Sequence, residues 1–165
     1  MIKEFEFFHG LIFARLLHAA QRPLSLRCYS AAANSSYVLE DSIGLYIKYS
    51  TKRLTPWYFT FKKEHQAEID AMRNTLGNVF LLLVCNDDGI VCLKYTELKQ
   101  LLDDQHEDHE WVSVKRTKRQ MYTVAGKDGK LQFKVGQNDF PQKLFAKEFR
   151  LTPEPPITRA LRSSV

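Results

Sequence analysis

Seven consecutive apolar residues, Val79–Cys85, limit the folds open to this chain more than any other segment. The run has the length of a strand and is far shorter than the roughly 20 residues that span a bilayer. Because it offers no polar face to water, it predicts a central strand that is buried on both sides. The turn residues Asn86–Gly89 follow it, so Ile90–Tyr95 is predicted to return as an antiparallel strand.

Helical and β-like segments surround this strand. Apolar residues at helical spacing predict helices over residues 3–20 and 63–76, and a shorter helix is expected over residues 139–149. Further strands are predicted at Leu24–Tyr29, Tyr37–Glu40, Gly44–Tyr49, Trp57–Phe61, Trp111–Val114, Met121–Val124 and Leu131–Val135. This order predicts an α/β or α+β fold with a mixed central sheet, flanking helices and a C-terminal β-hairpin extension.

Length and composition are those of a single globular domain, with 165 residues, 44% hydrophobic and 26% charged. We predict a domain over residues 1–150 and a flexible tail over residues 151–165, which are rich in Pro, Arg and Ser. The three cysteines lack a CxxC spacing, which favours reduced thiols and a cytoplasmic location. No apolar run approaches the length needed to span a bilayer, so no membrane association is expected. An N-terminal segment rich in Arg, Ala and Ser makes mitochondrial targeting the alternative, against which Glu4 and Glu6 count.

Cations and aromatic rings lie close together between residues 46 and 63, and residues 48–63 contain no acid. The cations are Lys48, Lys52, Arg53, Lys62 and Lys63, and the rings predicted to stack on bases are Tyr46, Tyr49 and Trp57. Cations neutralise phosphates and rings stack on bases, so this segment predicts a nucleic-acid-binding groove. The alternative is a structural hairpin whose rings form the core and whose lysines are solvated.

A second basic segment follows an acidic loop. Residues 103–110 carry five acids, and four cations follow them, namely Lys115, Arg116, Lys118 and Arg119. Beside a β-hairpin these cations can contact a phosphate backbone; the alternative is a solvated turn whose charge the acids balance. The net charge of +5 also favours an anionic partner.

The order helix–β–β–β–helix–β over residues 3–95 resembles the core of the PD-(D/E)xK nuclease superfamily. In that family an acid on the second core strand, and another acid two residues before a lysine on the third, bind the metal that activates water. Lys48 matches the lysine, whereas Tyr46 stands at the place of the second acid. The place of the first acid falls near Asn34–Ser36, where no carboxylate occurs.

The resemblance implies catalytic candidates and a metal. These candidates are Lys48 with Asp41 and Glu40, the acids of the turn before the third strand, and the implied cofactor is Mg²⁺ or Mn²⁺. The sequence assigns no set of metal ligands. His65 and Glu68, three residues apart on a predicted helix, could share a metal, but the spacing is common and favours a solvated helix face.

We therefore predict a nucleic-acid-binding protein of nuclease-like fold with an incomplete or atypical active site. DNA or RNA is the expected partner, and a protein partner is the alternative. Two other functions stay open, a protein-interaction module such as a subunit or inhibitor in a larger assembly, and an active metal-dependent nuclease. The aromatic content and the segregated charges favour the protein-interaction module. An active nuclease requires a carboxylate pair near Lys48.

Overall fold

A computed structural model of the chain describes residues 1–30 and 34–146. The elements in chain order are α1 (Glu4–Ala20), β1 (Leu26–Cys28), β2 (Ser36–Leu39), β3 (Ile43–Ser50), β4 (Trp57–Lys62), α2 (Lys63–Leu76), β5 (Asn78–Cys85), β6 (Ile90–Lys94), α3 (Tyr95–Leu101), β7 (His109–Lys115), β8 (Thr123–Gly126) and α4 (Asp139–Gln142). A 3-10 helix (Lys143–Phe145) follows α4. The fold class is mixed α+β, as the sequence predicts.

The apolar run forms most of β5 and lies inside a five-stranded sheet. The strand order is β1-β2-β3-β5-β6, and all seven residues of Val79–Cys85 are buried, which confirms the prediction of a central strand. β3 and β5 are parallel, while the other neighbouring strands are antiparallel. Parallel neighbours need a long crossover connection, and here that crossover contains β4 and α2.

A second, three-stranded sheet has the order β4-β7-β8. The sequence predicts each of these strands but does not separate β4 from the central sheet. Since β2 and β5 already occupy both edges of β3, β4 pairs with β7, with Trp57 opposite Val114 and Lys62 opposite His109. Buried and exposed residues alternate along β4, so one face of this sheet covers the core and the other is open.

Two hydrophobic clusters lie on opposite faces of the five-stranded sheet. On one face α1 covers the sheet through Ile12 and Leu16, and on the other α2 packs through Ile69 and Met72 beside the second sheet. Alternate residues of β5 enter the two clusters, as expected for a period of two. β5 therefore contributes side chains to both hydrophobic clusters.

The C-terminal part differs from the sequence prediction. Leu131–Val135 forms no continuous strand; an isolated bridge joins Val135 to Tyr122, and the Leu131 N–H donates to the Val124 carbonyl at 3.1 Å. Of the helix expected over residues 139–149, the described part contains α4 and the short 3-10 helix, and residues 147–149 lie outside the described residues. The predicted tail over residues 151–165 lies outside the described residues. Within the described ranges, no helix has the length and hydrophobicity needed to cross a membrane.

Candidate nucleic-acid groove

Lys48 lies near the end of β3, on the face that looks toward β4. Its ammonium is 5.0 Å from the centroid of the Phe61 ring. Burial lowers the pKa of Lys48 to about 8, and the positive charge of Lys62 lowers it further in the same direction. A half-buried cation beside another cation is destabilised in its charged form, so an anion at this position would stabilise it.

A cavity of about 390 Å³ opens beside this ammonium, between β3 and β4. Its wall includes Lys48, Lys62 and His65. His65 is in the first turn of α2, where its Nδ1 accepts a hydrogen bond from the Lys62 backbone N–H at 3.1 Å. Burial lowers the pKa of His65, and the charge of Lys48 lowers it further. The cavity is thus lined on one side by cationic and polar groups.

A second cavity of about 370 Å³ continues the first, because both are lined by Ser35, Tyr49 and His65. We call the two together the β3 groove. Its far end reaches His9 of α1 and Glu68 of α2. Burial lowers the pKa of His9 to about 4, so this histidine is neutral near pH 7.

Glu68 is the carboxylate that lies inside this groove. It accepts a hydrogen bond from the Ser36 hydroxyl at 2.7 Å, and burial together with the charge of Glu68 raises the pKa of Tyr46. The sequence does indicate Glu68, through its spacing from His65, but favours a solvated helix face. Both side chains are instead half-buried and line the β3 groove.

The two acids predicted to act with Lys48 lie elsewhere. Glu40 and Asp41 form the turn between β2 and β3, and five positions of strand, about 16 Å, separate Ile43 at the start of β3 from Lys48. Asp41 forms an ion pair with Arg27 at 3.4 Å, and Glu40 accepts a hydrogen bond from a backbone N–H. The structure therefore does not bring these carboxylates together with the lysine.

The rings predicted to stack on bases belong largely to the core. Tyr46 is 1% exposed and Trp57 is 2% exposed, so the stacking prediction for these two residues is wrong. The Trp57 indole donates a hydrogen bond to the Lys52 carbonyl at 2.8 Å, which fixes the loop before β4. Tyr49 is half-buried, with its ring stacked on Phe8 at a centroid distance of 4.4 Å. These rings face inward because they fill the two layers around β3.

Two other rings are exposed on the open face of the three-stranded sheet. Tyr58 of β4 is 56% exposed and Trp111 of β7 is 41% exposed, with ring centroids 6.4 Å apart. Tyr58 also lines the β3 groove. The signal in the sequence is the alternation along β4, which puts Tyr58 and Trp57 on opposite faces.

The predicted cations form two groups. Lys48, Lys62 and Lys63 lie where β3 approaches the end of β4 and the start of α2. The other group lies at the opposite end of the three-stranded sheet, where the backbone N–H of Arg116 donates to the Thr55 hydroxyl at 3.1 Å. Its exposed members are Lys52, Arg53, Lys115, Lys118 and Arg119.

Arg116 differs from its neighbours because its guanidinium is engaged. It donates to both carboxylate oxygens of Asp88, at 2.8 and 2.5 Å, and the Tyr122 hydroxyl donates to the same carboxylate at 2.6 Å. This ion pair joins the turn after β5 to the end of β7. The predicted phosphate contact of Arg116 is therefore replaced by a structural role.

Comparison of the chain with family models, with curated proteins and with solved structures gives no match. The fold and the β3 groove define a mixed α+β protein with a half-buried lysine in a groove that Lys62 also lines. The ionisable side chains that line this groove include Lys48, Lys62, His65 and Glu68.

Proposed function

We propose that this chain is a nucleic-acid-binding protein of nuclease-like topology with an atypical active site. Three antiparallel strands, β1 to β3, lead through β4 and α2 to β5, which pairs parallel with β3. The helices α1 and α2 pack on opposite faces of this sheet. This arrangement supports the resemblance to the PD-(D/E)xK superfamily, while Glu40 and Asp41 are too far from Lys48 to share a metal beside it.

The observation that carries the proposal is the environment of the Lys48 ammonium. Among the described residues Lys48 has no carboxylate partner; its neighbours are the Phe61 ring and the cation of Lys62. The cavity beside it is wide enough for a phosphate group and open to solvent. A phosphate oxygen would supply the missing counter-charge in a partly dehydrated site, where charge-assisted hydrogen bonds are strongest.

The open face of the three-stranded sheet supports a single-stranded ligand. Tyr58 and Trp111 offer rings to bases, and Lys62 and Lys115 stand at the two ends of the same face. The positions of its three strands that share a face with Tyr58 carry no acid; these positions are 58, 60, 62, 109, 111, 113, 115, 123 and 125, of which only 113 is buried. Exposed rings between cations are what sequence-tolerant binding of single strands uses.

An electrophoretic shift assay with single-stranded and duplex DNA and RNA at two salt concentrations tests the proposal. We expect retention at low salt, with affinity falling as salt rises by about 0.7–0.9 log units per log unit of salt for each phosphate contact. Lys48→Met and Lys62→Ala should weaken every ligand alike, because phosphate contacts do not read bases. Arg27→Ala, a cation on the edge strand β1, is the matched control and should bind as the wild type does.

The ionisation of Lys48 adds a test that is specific to the groove. An anion binds the protonated ammonium, and the pKa of Lys48 in the free protein is about 8. Affinity should therefore fall as pH rises through that value, and the fall should disappear in Lys48→Met. Wild-type protein that retains no nucleic acid at low salt, or affinity independent of pH between 7 and 9, would contradict the proposal.

A protein-interaction module is the second candidate, and one feature favours it. The first helix leaves Phe7 and Leu17 exposed, and a cavity of about 320 Å³ lined by Phe7, Phe8 and Leu11 opens between α1 and the turn after β5. Exposed apolar side chains around a cavity are typical of protein contact sites. If no nucleic acid is retained, and Phe7→Ser raises solubility without lowering the melting temperature, this function takes the place of the first.

A further inference from the structure

Three carboxylates that take no part in the β3 groove meet beside the three-stranded sheet. Asp103 follows α3, Glu110 is the second residue of β7, and Asp128 lies in the turn after β8. One oxygen from each carboxylate lies within 4.8 Å of those of the other two. Like charges at this separation repel each other, so a cation between the three carboxylates would stabilise the arrangement.

Glu110 is the residue that points to a ligand. Its side chain is 1% exposed, and its Oε2 accepts a hydrogen bond from the Gln66 amide of α2. Its Oε1 is buried and has no hydrogen-bond partner within the described part of the chain. A buried carboxylate oxygen without a partner destabilises the folded state unless an ion or a hydrogen-bond donor satisfies it.

In the other two carboxylates as well, one oxygen accepts a hydrogen bond and the other does not. Asp103 Oδ1 accepts the Gln105 N–H at 2.8 Å, and Asp128 Oδ2 accepts the Asp103 N–H at 2.9 Å. Neither Asp103 Oδ2 nor Asp128 Oδ1 accepts a hydrogen bond from the residues that the structure describes. Each acid is thus oriented by one oxygen and keeps the other available, which is how outer-shell hydrogen bonds position metal ligands.

The segments that carry these acids are fixed to one another through the backbone. The Asp128 N–H donates to the Leu101 carbonyl at 2.9 Å, and a Cβ on Gly126 would lie 2.4 Å from that same oxygen. Only a glycine allows this approach of β8 to the end of α3. The position of Asp128 beside Asp103 is therefore set by the fold and does not depend on a ligand.

The ammonium of Lys127 lies close enough to interact with two of these acids, and it already has a partner. The Lys127 ammonium is hydrogen-bonded to Glu107, which raises the pKa of Lys127, and the charges of Asp128 and Glu110 raise it further. Lys127 is thus the alternative source of positive charge for the three acids. A test has to distinguish this ammonium from a bound cation.

We propose that Asp103, Glu110 and Asp128 bind one divalent cation of the hard class, such as Ca²⁺ or Mg²⁺, with water completing its shell. Carboxylate oxygens are the ligands these ions prefer, and the cluster holds neither thiolate nor imidazole, which softer metals select. The ion clamps the acidic loop, residues 103–110, against the turn after β8. This site is independent of the proposed binding of nucleic acid.

Titration calorimetry and thermal unfolding of the EDTA-treated full chain, with CaCl₂ or MgCl₂ added, test the site. We expect saturable binding of one ion per chain and a melting temperature that rises with its concentration. Asp128→Asn and Asp103→Asn should each abolish both effects, whereas Asp108→Asn, an exposed acid of the same loop, should keep them. Gln66→Ala should weaken affinity by about tenfold or more, because it releases Glu110.

Three results would overturn the proposal. The first is the absence of saturable binding, with an unchanged melting temperature, at millimolar CaCl₂ and MgCl₂. The second is binding that persists in the double variant of Asp103→Asn and Asp128→Asn, which would place the ion elsewhere. The third is cation binding by Lys127→Ala but not by the wild type. This result would show that the Lys127 ammonium provides the positive charge for the three acids in the wild type.

Discussion

Replacing Arg116 with alanine tests whether the second basic segment contains a structural cation. The guanidinium makes two charge-assisted hydrogen bonds to Asp88, and both side chains are 18% exposed. Hydrogen bonds to charged groups contribute about 1.5–3 kcal/mol each, and partial exposure reduces their sum. The variant also leaves the Asp88 carboxylate with only the Tyr122 hydroxyl. We expect a loss of about 2–3 kcal/mol in the free energy of unfolding.

Thermal and urea unfolding measure this loss. For a chain of this length 1 kcal/mol corresponds to about 2–4 °C, so the melting temperature should fall by about 4–12 °C. Lys115→Ala is the matched control, since Lys115 is adjacent and exposed, and it should change stability by less than about 0.5 kcal/mol. Equal losses in the two variants, or no loss in Arg116→Ala, would refute the structural role of Arg116.

The pH dependence of the difference provides a second check. Hydrogen bonds from Arg116 lower the pKa of Asp88 more than burial raises it. A carboxyl whose pKa is lower in the folded state stabilises the fold above the unfolded value, about 3.9, and loses that contribution as pH falls through the folded value. The gap in unfolding free energy between wild type and Arg116→Ala should therefore narrow below about pH 4. A gap that stays constant down to pH 2 would exclude this coupling.

Leu82→Asp should abolish soluble folding, because it buries an unpaired charge in β5; a soluble variant with an unchanged melting temperature would contradict this placement. Tyr58→Ala should weaken single-strand binding by about 1–3 kcal/mol and leave the melting temperature unchanged, whereas Trp57→Ala should lower the melting temperature and keep the salt slope. Incubation with Mg²⁺ or Mn²⁺ should leave duplex DNA intact in a gel assay. Cleavage that is lost in Glu68→Gln and kept in Asp41→Ala would instead show an active nuclease centred on the β3 groove.

Elements with a strong local signal are predictable from the sequence. The apolar spacing and Gly77 predict a helix over residues 63–76, and α2 has those bounds. Val79–Cys85 predicts a buried strand, and the structure buries every one of its residues. Both elements are predictable from a short stretch of sequence, because the residues that set the helix ends and the burial of the strand are neighbours in the chain.

The candidate site is less predictable because it depends on pairing between distant segments. Alternation along β4 separates Trp57 from Tyr58, but it does not indicate which of them faces the core. That choice is made by the position of the three-stranded sheet over the central one. The burial of Glu110 is also not predictable from the sequence. An acid within an acidic run is expected to be solvated, and Glu110 is buried because β7 lies beside α2.

The pairing of β4 with β7 also has a consequence for the order of folding. Its register joins Lys62 to His109 and Trp57 to Val114, so partners lie about 50 positions apart and closing that loop costs more entropy than forming a hairpin. The pairs β2–β3 and β5–β6, by contrast, are joined by short turns. We therefore expect the five-stranded sheet to gain amide-exchange protection first and the three-stranded sheet to close afterwards. The exposed rings of Tyr58 and Trp111 and the carboxylate of Glu110 would then reach their final positions only when the three-stranded sheet closes.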